Sequence, residues 1–524
     1  MPSQASNELS LDQISSEPWW KHHGFIESPF TLREAGREQR LSEYFVHGKD
    51  YDAVKGASSV HQTTIVFAAR GCGKSAYRRM IQTSCRPADE ESSILAVAHT
   101  EFSNVLNAST TPADVTLEAH VEALLHSAAT TLLQEFLRRP ASFDHLPLED
   151  RNLFGWFVHT YAPRALRPLD LIEELAAIAE FPAIESQQVR EVTRSRERFV
   201  EWLERPPMDG NPQARLLLTL LRAQPAPPAK NTARNPVALV REFVDLARQS
   251  GLQAVYFLVD GLDELRLTAT DPVAAADLVI PLLAELSLME LEHAVFKFFL
   301  PAETTAALRV RRDSRLDRFS IYHLAWRDAD LRHMLRLRLM AFNERGIDSL
   351  GAISDEDVAG RIDADLVEMA YGSPRRLLML GDALFAAHAA RLGAGLLLNR
   401  QDWEDACRNF ERIFGPLVPP LRVDREMSKL FIGDDECPSH LSPMEFGLLN
   451  FLYQEQGRLR SRDEISYALL ARPEDGVISD EAFDSLVSRL RRKIERHPKR
   501  PVYLITERGM GYRLENIGRA VEGK

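Results

Sequence analysis

The stretch TTIVFAARGCGKSAYRRM, residues 63–80, decides how most of the chain is read. Its first six residues, Thr63–Ala68, are a short β-branched and apolar run, which predicts a buried strand. A glycine-containing turn follows, and then a helix with polar and basic faces over Ser75–Gln82. Ala68, Gly73, Lys74 and Ser75 fit the spacing G-x-x-x-x-G-K-[ST], with alanine at the first glycine position. Small residues at Ala68, Gly71 and Gly73 let backbone N–H groups wrap a phosphate, and Lys74 adds a point charge. The Ser75 hydroxyl offers a ligand to Mg²⁺, and the helix beginning there adds the positive end of its dipole.

Working outward, VYFLVDGLDEL (255–265) is an apolar strand ending in carboxylates. There Asp260 would hold Mg²⁺ through water, and Asp263 or Glu264 would orient or deprotonate an attacking water. Further apolar runs at Ile94–Ala98 and Val295–Leu300 complete a pattern of strands alternating with helices. The fold class expected is α/β, a P-loop NTPase parallel sheet covered on both faces, over residues 24–320. Residues 115–222 are helical in pattern and read as an insertion between two strands, followed by a Pro/Ala-rich loop at 223–236. Residues 1–23 read as a flexible lead, and 321–415 as a helical lid that PLVPP (416–420) ends.

The DGLDE form resembles the STAND and NACHT-type branch of AAA+-related ATPases over about residues 24–415. The resemblance implies ATP with Mg²⁺, slow hydrolysis and a homo-oligomer in the ATP state. VFKFFLPAETT (295–305) resembles a strand that ends in a sensing polar residue, Glu303 or Thr304. SRLDRFSIYHLAW (314–326) resembles the stretch carrying an arginine finger, which makes Arg315 and Arg318 candidates within a dense basic cluster. AYGSPRRLLML (370–380) resembles the lid segment that places an arginine, here Arg375, on the γ-phosphate. Such arginines stabilise charge that develops during phosphoryl transfer. By analogy with ligand-sensing relatives, the helical insertion would sense an unidentified ligand or protein.

The last hundred residues change character. LSPMEFGLLNFLYQEQGRLRSRDEISYALL (441–470) reads as two amphipathic helices, with Pro443 near the first start and Ser461 and Glu464 as a capping box. A third helix, Asp480–Arg496, puts Phe483, Val487, Leu490 and Ile494 on one apolar face. PVYLITERGMGYRLEN (501–516) then alternates, turns and returns as a hairpin. Helix, helix, basic helix and hairpin make a winged helix-turn-helix. LSPMEFGLL, SRDEI, VSRLRRKIE and YLITERGMGYRLE closely resemble the OmpR/PhoB-type effector domain over 421–515, with a preceding antiparallel sheet in 421–442. The resemblance implies double-stranded DNA as partner, the third helix entering the major groove and the wing the adjacent minor groove. Carried over by position, Ser485, Ser488, Arg489, Arg492 and Lys493 would face bases or phosphates, and Thr506 and Arg508 the backbone or minor groove. Response regulators place a receiver domain ahead of this module; here an NTPase reading occupies that place, so nucleotide state is expected to replace aspartyl phosphorylation.

Bulk properties narrow the function classes. At 524 residues two to four domains are expected. Net charge is −12, yet seven Lys/Arg face one acid between Ser485 and Arg500, which confines DNA contact to that patch. Four cysteines without CxxC spacing argue against a zinc site or a disulfide framework, and no stretch approaches the roughly 18 apolar residues that span a bilayer. The start, MPSQASNELSLDQISSEPWW, lacks the pattern of a signal peptide, so a cytoplasmic, bacterial-type protein without membrane contact is expected, nucleoid-associated when on DNA. The leading expectation is an ATP-dependent DNA-binding transcriptional regulator or defence switch. The alternatives are an initiator-like or remodelling ATPase acting on DNA, and a nucleotide-dependent scaffold whose winged helix binds protein.

Overall fold

The computed structural model describes residues 18–516, apart from 57–61, 86–93, 107–110, 179–180, 183, 207, 224–234, 270, 392–394, 415–418, 426–427, 433–434, 438, 456, 471–477, 496–497, 500 and 508. The chain divides into two compact units, one of residues 47–324 and one of residues 1–46 with 325–524.

The first unit is built on five parallel strands in the order β2-β3-β4-β1-β5. They are β1 (Thr64–Ala68), β2 (Ile94–His99), β3 (Ala254–Val259), β4 (Ala294–Pro301) and β5 (Ser320–Leu324). β1, β3 and β4 are buried along their whole length, as both-face coverage of a parallel sheet requires. β5 was expected to open a helical lid; it is instead a strand pairing in parallel with β1, Val66 opposite Tyr322. It lies at the sheet edge and is half-buried, so it lacks the continuous apolar run that marks a central strand.

Among the described residues, the helical block between β2 and β3 shares its core with the sheet. Leu124, Leu132 and Phe136 of the Leu117–Arg138 helix and Phe157 of the Leu148–Tyr161 helix share one apolar cluster with Leu95, Val97 and Phe257 of the sheet. The insertion is thus welded to the strands rather than carried as a separate module.

In the second unit, residues 18–46 do not fit the expected division into a flexible lead and the start of the NTPase core. The turn Trp19–His23 packs against the Pro374–Ala390 helix, with Trp19 Nε1 donating to Phe385 O at 3.4 Å and its ring 4.2 Å from that of His388. Glu38 meets the buried Arg338 at 2.7 Å, and Arg338 also donates to Leu32 O at 2.9 Å. Aromatic and ionic contacts therefore fasten this segment to the helices of 328–414, which were read as the lid.

Residues 421–516 have a separate core formed by Leu421, Val423, Leu448, Leu452, Ile465, Phe483, Val487, Leu490, Leu504 and Leu514 among others. Its elements are β6 (Leu421–Asp424), β7 (Lys429–Ile432) and β8 (Asp435–Glu436), an antiparallel sheet. Three helices follow, Pro443–Gln454, Arg462–Leu469 and Asp480–Ile494, and then the hairpin β9 (Leu504–Glu507) and β10 (Gly511–Leu514). Capping boxes start the first two helices, Ser442 with Glu445 and Ser461 with Glu464, and Ser479 caps the third. Each such cap is worth about 1 kcal/mol. Among the described residues, no helix is long and apolar enough to cross a membrane.

Candidate functional site

The loop after β1 takes the shape its small residues permit. Gly71 and Gly73 have φ of 84° and 90°, a left-handed conformation that favours glycine, and the helix begins at Lys74. Lys74 is only 6% exposed, and its Nζ donates to Ala68 O at 3.4 Å and to Asp263 Oδ2 at 3.2 Å. Ser75 is half-buried in the first turn. Cys72 in the same loop has its thiol pushed up to about 11, chiefly by burial, so it is a poor nucleophile at neutral pH.

Asp260 and Asp263 diverge in role. Asp260 is 2% exposed, takes a backbone bond from its own N–H to His99 O at 3.1 Å, and pairs through Oδ2 with Arg78 Nε at 3.2 Å. Arg78 continues through Nη1 to Gln82 Oε1 at 3.1 Å. The charge of Asp260, the expected magnesium ligand, is met here by a guanidinium. Glu264 is exposed, one residue beyond the Asp263 that holds Lys74.

The remaining candidates of this unit are placed differently. Thr304 is buried and donates to Pro301 O at 2.7 Å, while Glu303 is exposed near Cys72. Arg315 and Arg318 both lean on Asp317, at 3.8 and 3.7 Å. Arg375 belongs to the other unit, exposed in the first turn of the Pro374–Ala390 helix.

The third helix of residues 421–516 presents Ser485, Ser488, Arg489 and Arg492 on its exposed face. Arg489 keeps half its side chain exposed while approaching Glu445 at 3.6 Å. Lys493, expected among the DNA-facing residues, is turned inward: its Nζ binds the buried Glu445 at 2.6 Å and His440 O at 2.7 Å. That pair holds Glu445 below the usual carboxylate range against its own burial and staples the third helix to the first. Thr506 is exposed on the wing and accepts from Arg491 Nη2 at 2.7 Å. Arg508 lies outside the described residues.

Three further residues build this surface. Arg462 pairs with Asp480 at 2.9 Å, with Asp484, and with the Tyr512 hydroxyl at 3.1 Å. It offsets two of the acids in the opening turns of the third helix. Arg491 donates to Leu504 O at 2.6 Å, tying the helix to β9. The buried Glu495 accepts from the backbone N–H groups of Val502, Tyr503 and Leu504 at 2.8–2.9 Å and so starts the wing. Helix periodicity marks Arg462 and Arg491 as off the apolar face, but nothing local announces their partners.

A family model described as transcriptional regulatory protein, C terminal, matches residues 436–514. The C-terminal module is a winged helix of the OmpR/PhoB type. This OmpR/PhoB-type module is 36% identical over 96 residues to the sensory transduction protein RegX3 of Mycolicibacterium smegmatis, and equally so to that of Mycobacterium tuberculosis. It is 39% identical over 80 residues to the alkaline phosphatase synthesis transcriptional regulatory protein PhoP of Bacillus subtilis. The RegX3 match covers 18% of this chain and 40% of the relative, and the PhoP match 15% and 32%. The likeness to these relatives therefore rests on the OmpR/PhoB-type module.

Proposed function

We propose that the chain is a DNA-binding transcriptional regulator whose hold on DNA is set by ATP at the loop after β1. The observation that carries the reading is the OmpR/PhoB-type module, whose exposed Ser485, Ser488, Arg489 and Arg492 form one face of its third helix. Those side chains enter the major groove, while Thr506 at the wing lies against the backbone or minor groove.

The nucleotide part has its own support. Two left-handed glycines shape the loop after a buried strand, and the Lys74 ammonium lies buried against the loop's first carbonyl, Ala68 O, at 3.4 Å. The β2-β3-β4-β1-β5 order differs from the 2-1-3-4-5 order of flavodoxin-like doubly wound sheets, so the sheet is not of the flavodoxin type. ATP draws Lys74 from Asp263 onto its phosphates. Glu264 orients the attacking water, hydrolysis is slow, and the ATP state favours a homo-oligomer. The test is a fluorescence-anisotropy titration of mixed-sequence duplex DNA at several salt concentrations, with and without ATP. ATP is expected to change the affinity at fixed salt, with a steep salt dependence in both states. Equal curves with and without ATP would refute nucleotide control. A salt-insensitive or absent association would refute DNA as the partner and leave the winged helix to a protein.

A further inference from the structure

We infer that Arg78 stands in for the divalent cation at Asp260, so that ATP binds the loop after β1 without magnesium; the inference rests on the nucleotide reading above. The carboxylate at the end of β3 is the one that the AAA+ resemblance gives to Mg²⁺. Here it faces Arg78 Nε at 3.2 Å, with the two side chains 3% and 13% exposed. Arg78 is three residues beyond Ser75, one helical turn on, and so shares a face with the hydroxyl expected to ligate the metal.

The guanidinium is braced. Arg78 Nη1 donates to Gln82 Oε1 at 3.1 Å, and Gln82 Nε2 donates to Ala96 O of β2 at 3.5 Å. Asp260 is fixed in turn through its backbone bond to His99 O at 3.1 Å. A carboxylate neutralised in this way offers no net charge to a hydrated divalent ion, and a nearby guanidinium repels one. Mg²⁺ also sheds water reluctantly and demands an octahedral set of oxygens. The charge of the phosphates is then met by Lys74 and by the backbone N–H groups of the loop.

The experiment is an ATP titration of the full chain by calorimetry, once in excess Mg²⁺ and once in EDTA. The two dissociation constants are expected to agree within about threefold, against the tenfold or larger loss in EDTA that would overturn the inference. Arg78→Gln exposes the charge of Asp260 and is expected to make binding metal-dependent by about tenfold. Because glutamine leaves a buried carboxylate without its counter-charge, which destabilises a fold, Arg78→Lys serves as the second variant and is expected to keep the metal independence. If Arg78→Gln folds and binds ATP equally in Mg²⁺ and EDTA, Arg78 is not the substitute and the inference fails. Wild type that binds ATP only with Mg²⁺ overturns this inference alone; wild type that binds in neither condition overturns the nucleotide reading with it.

Discussion

Lys74 holds two acceptors at once, the Ala68 carbonyl and Asp263, within a site almost closed to solvent. Replacing it with alanine removes a charge-assisted bond worth about 1.5–3 kcal/mol, so ATP affinity is expected to fall roughly ten- to hundredfold. The OmpR/PhoB-type module has its own core, so Lys74→Ala should leave nucleotide-free DNA binding intact in the same titration. Glu264→Gln is expected to slow ATP turnover by about a hundredfold without weakening ATP binding, measured by phosphate release. Behind this site, His99 and His120 lie 5.8 Å apart between rings and are pushed down to about 3 and 4 by burial. Both are neutral in the fold and take up protons on unfolding once the pH drops below their ordinary value near 6.5. Their contribution is therefore intact above pH 6.5 and is lost as pH falls toward 4, at up to about 1.4 kcal/mol per pH unit for each histidine. Thermal unfolding across that range should show a falling midpoint for wild type and a flatter profile for His120→Gln.

Among the elements, the wing depends on buried acceptors and on one glycine. Glu495→Ala strands the N–H groups of Val502, Tyr503 and Leu504, at a cost of about 1–3 kcal/mol, and hydrogen exchange of residues 502–514 should accelerate accordingly. Gly511 sits at φ 144° where a Cβ would overlap the Arg460 carbonyl, in the bridge that Arg460 and Tyr512 make through two 2.8 Å bonds. How far the sequence betrays each element follows from its burial. β1, β3 and β4 are covered on both faces and read as continuous apolar runs, whereas half-exposed β5 carries no such run. The Ser461–Glu464 cap is legible because its partners are three residues apart. The pairs that set the chemistry are not: Arg78 and Asp260 are 182 positions apart, and Lys493 and Glu445 are 48. Carry-over by position from the OmpR/PhoB resemblance puts Lys493 among the DNA-facing residues because it transfers a place in the helix, not what the side chain meets. Arg492→Ala should consequently weaken DNA binding and reduce the salt slope by about 0.9, one phosphate contact. Lys493→Ala should instead destabilise the module, seen in its unfolding transition, by leaving Glu445 buried without its closest cation.

At the scale of the whole molecule, the helical insertion shares the core of the sheet, so strain or ordering at the loop after β1 reaches a large, continuously packed body. The segment 18–46 joins the helices of 328–414 in the other unit, which also holds the OmpR/PhoB-type module. A regulator assembled this way couples its sites only if ATP prefers one of two states of the chain and DNA prefers the same or the opposite one. Coupling of that kind is reciprocal: the factor by which ATP alters DNA affinity must equal the factor by which DNA alters ATP affinity. The most direct measurement is therefore an ATP titration of the full chain with and without saturating duplex DNA. The account predicts dissociation constants that differ by about 5–150-fold, the usual span of such coupling. Identical constants would mean that the loop after β1 and the winged helix act independently, and would contradict the account.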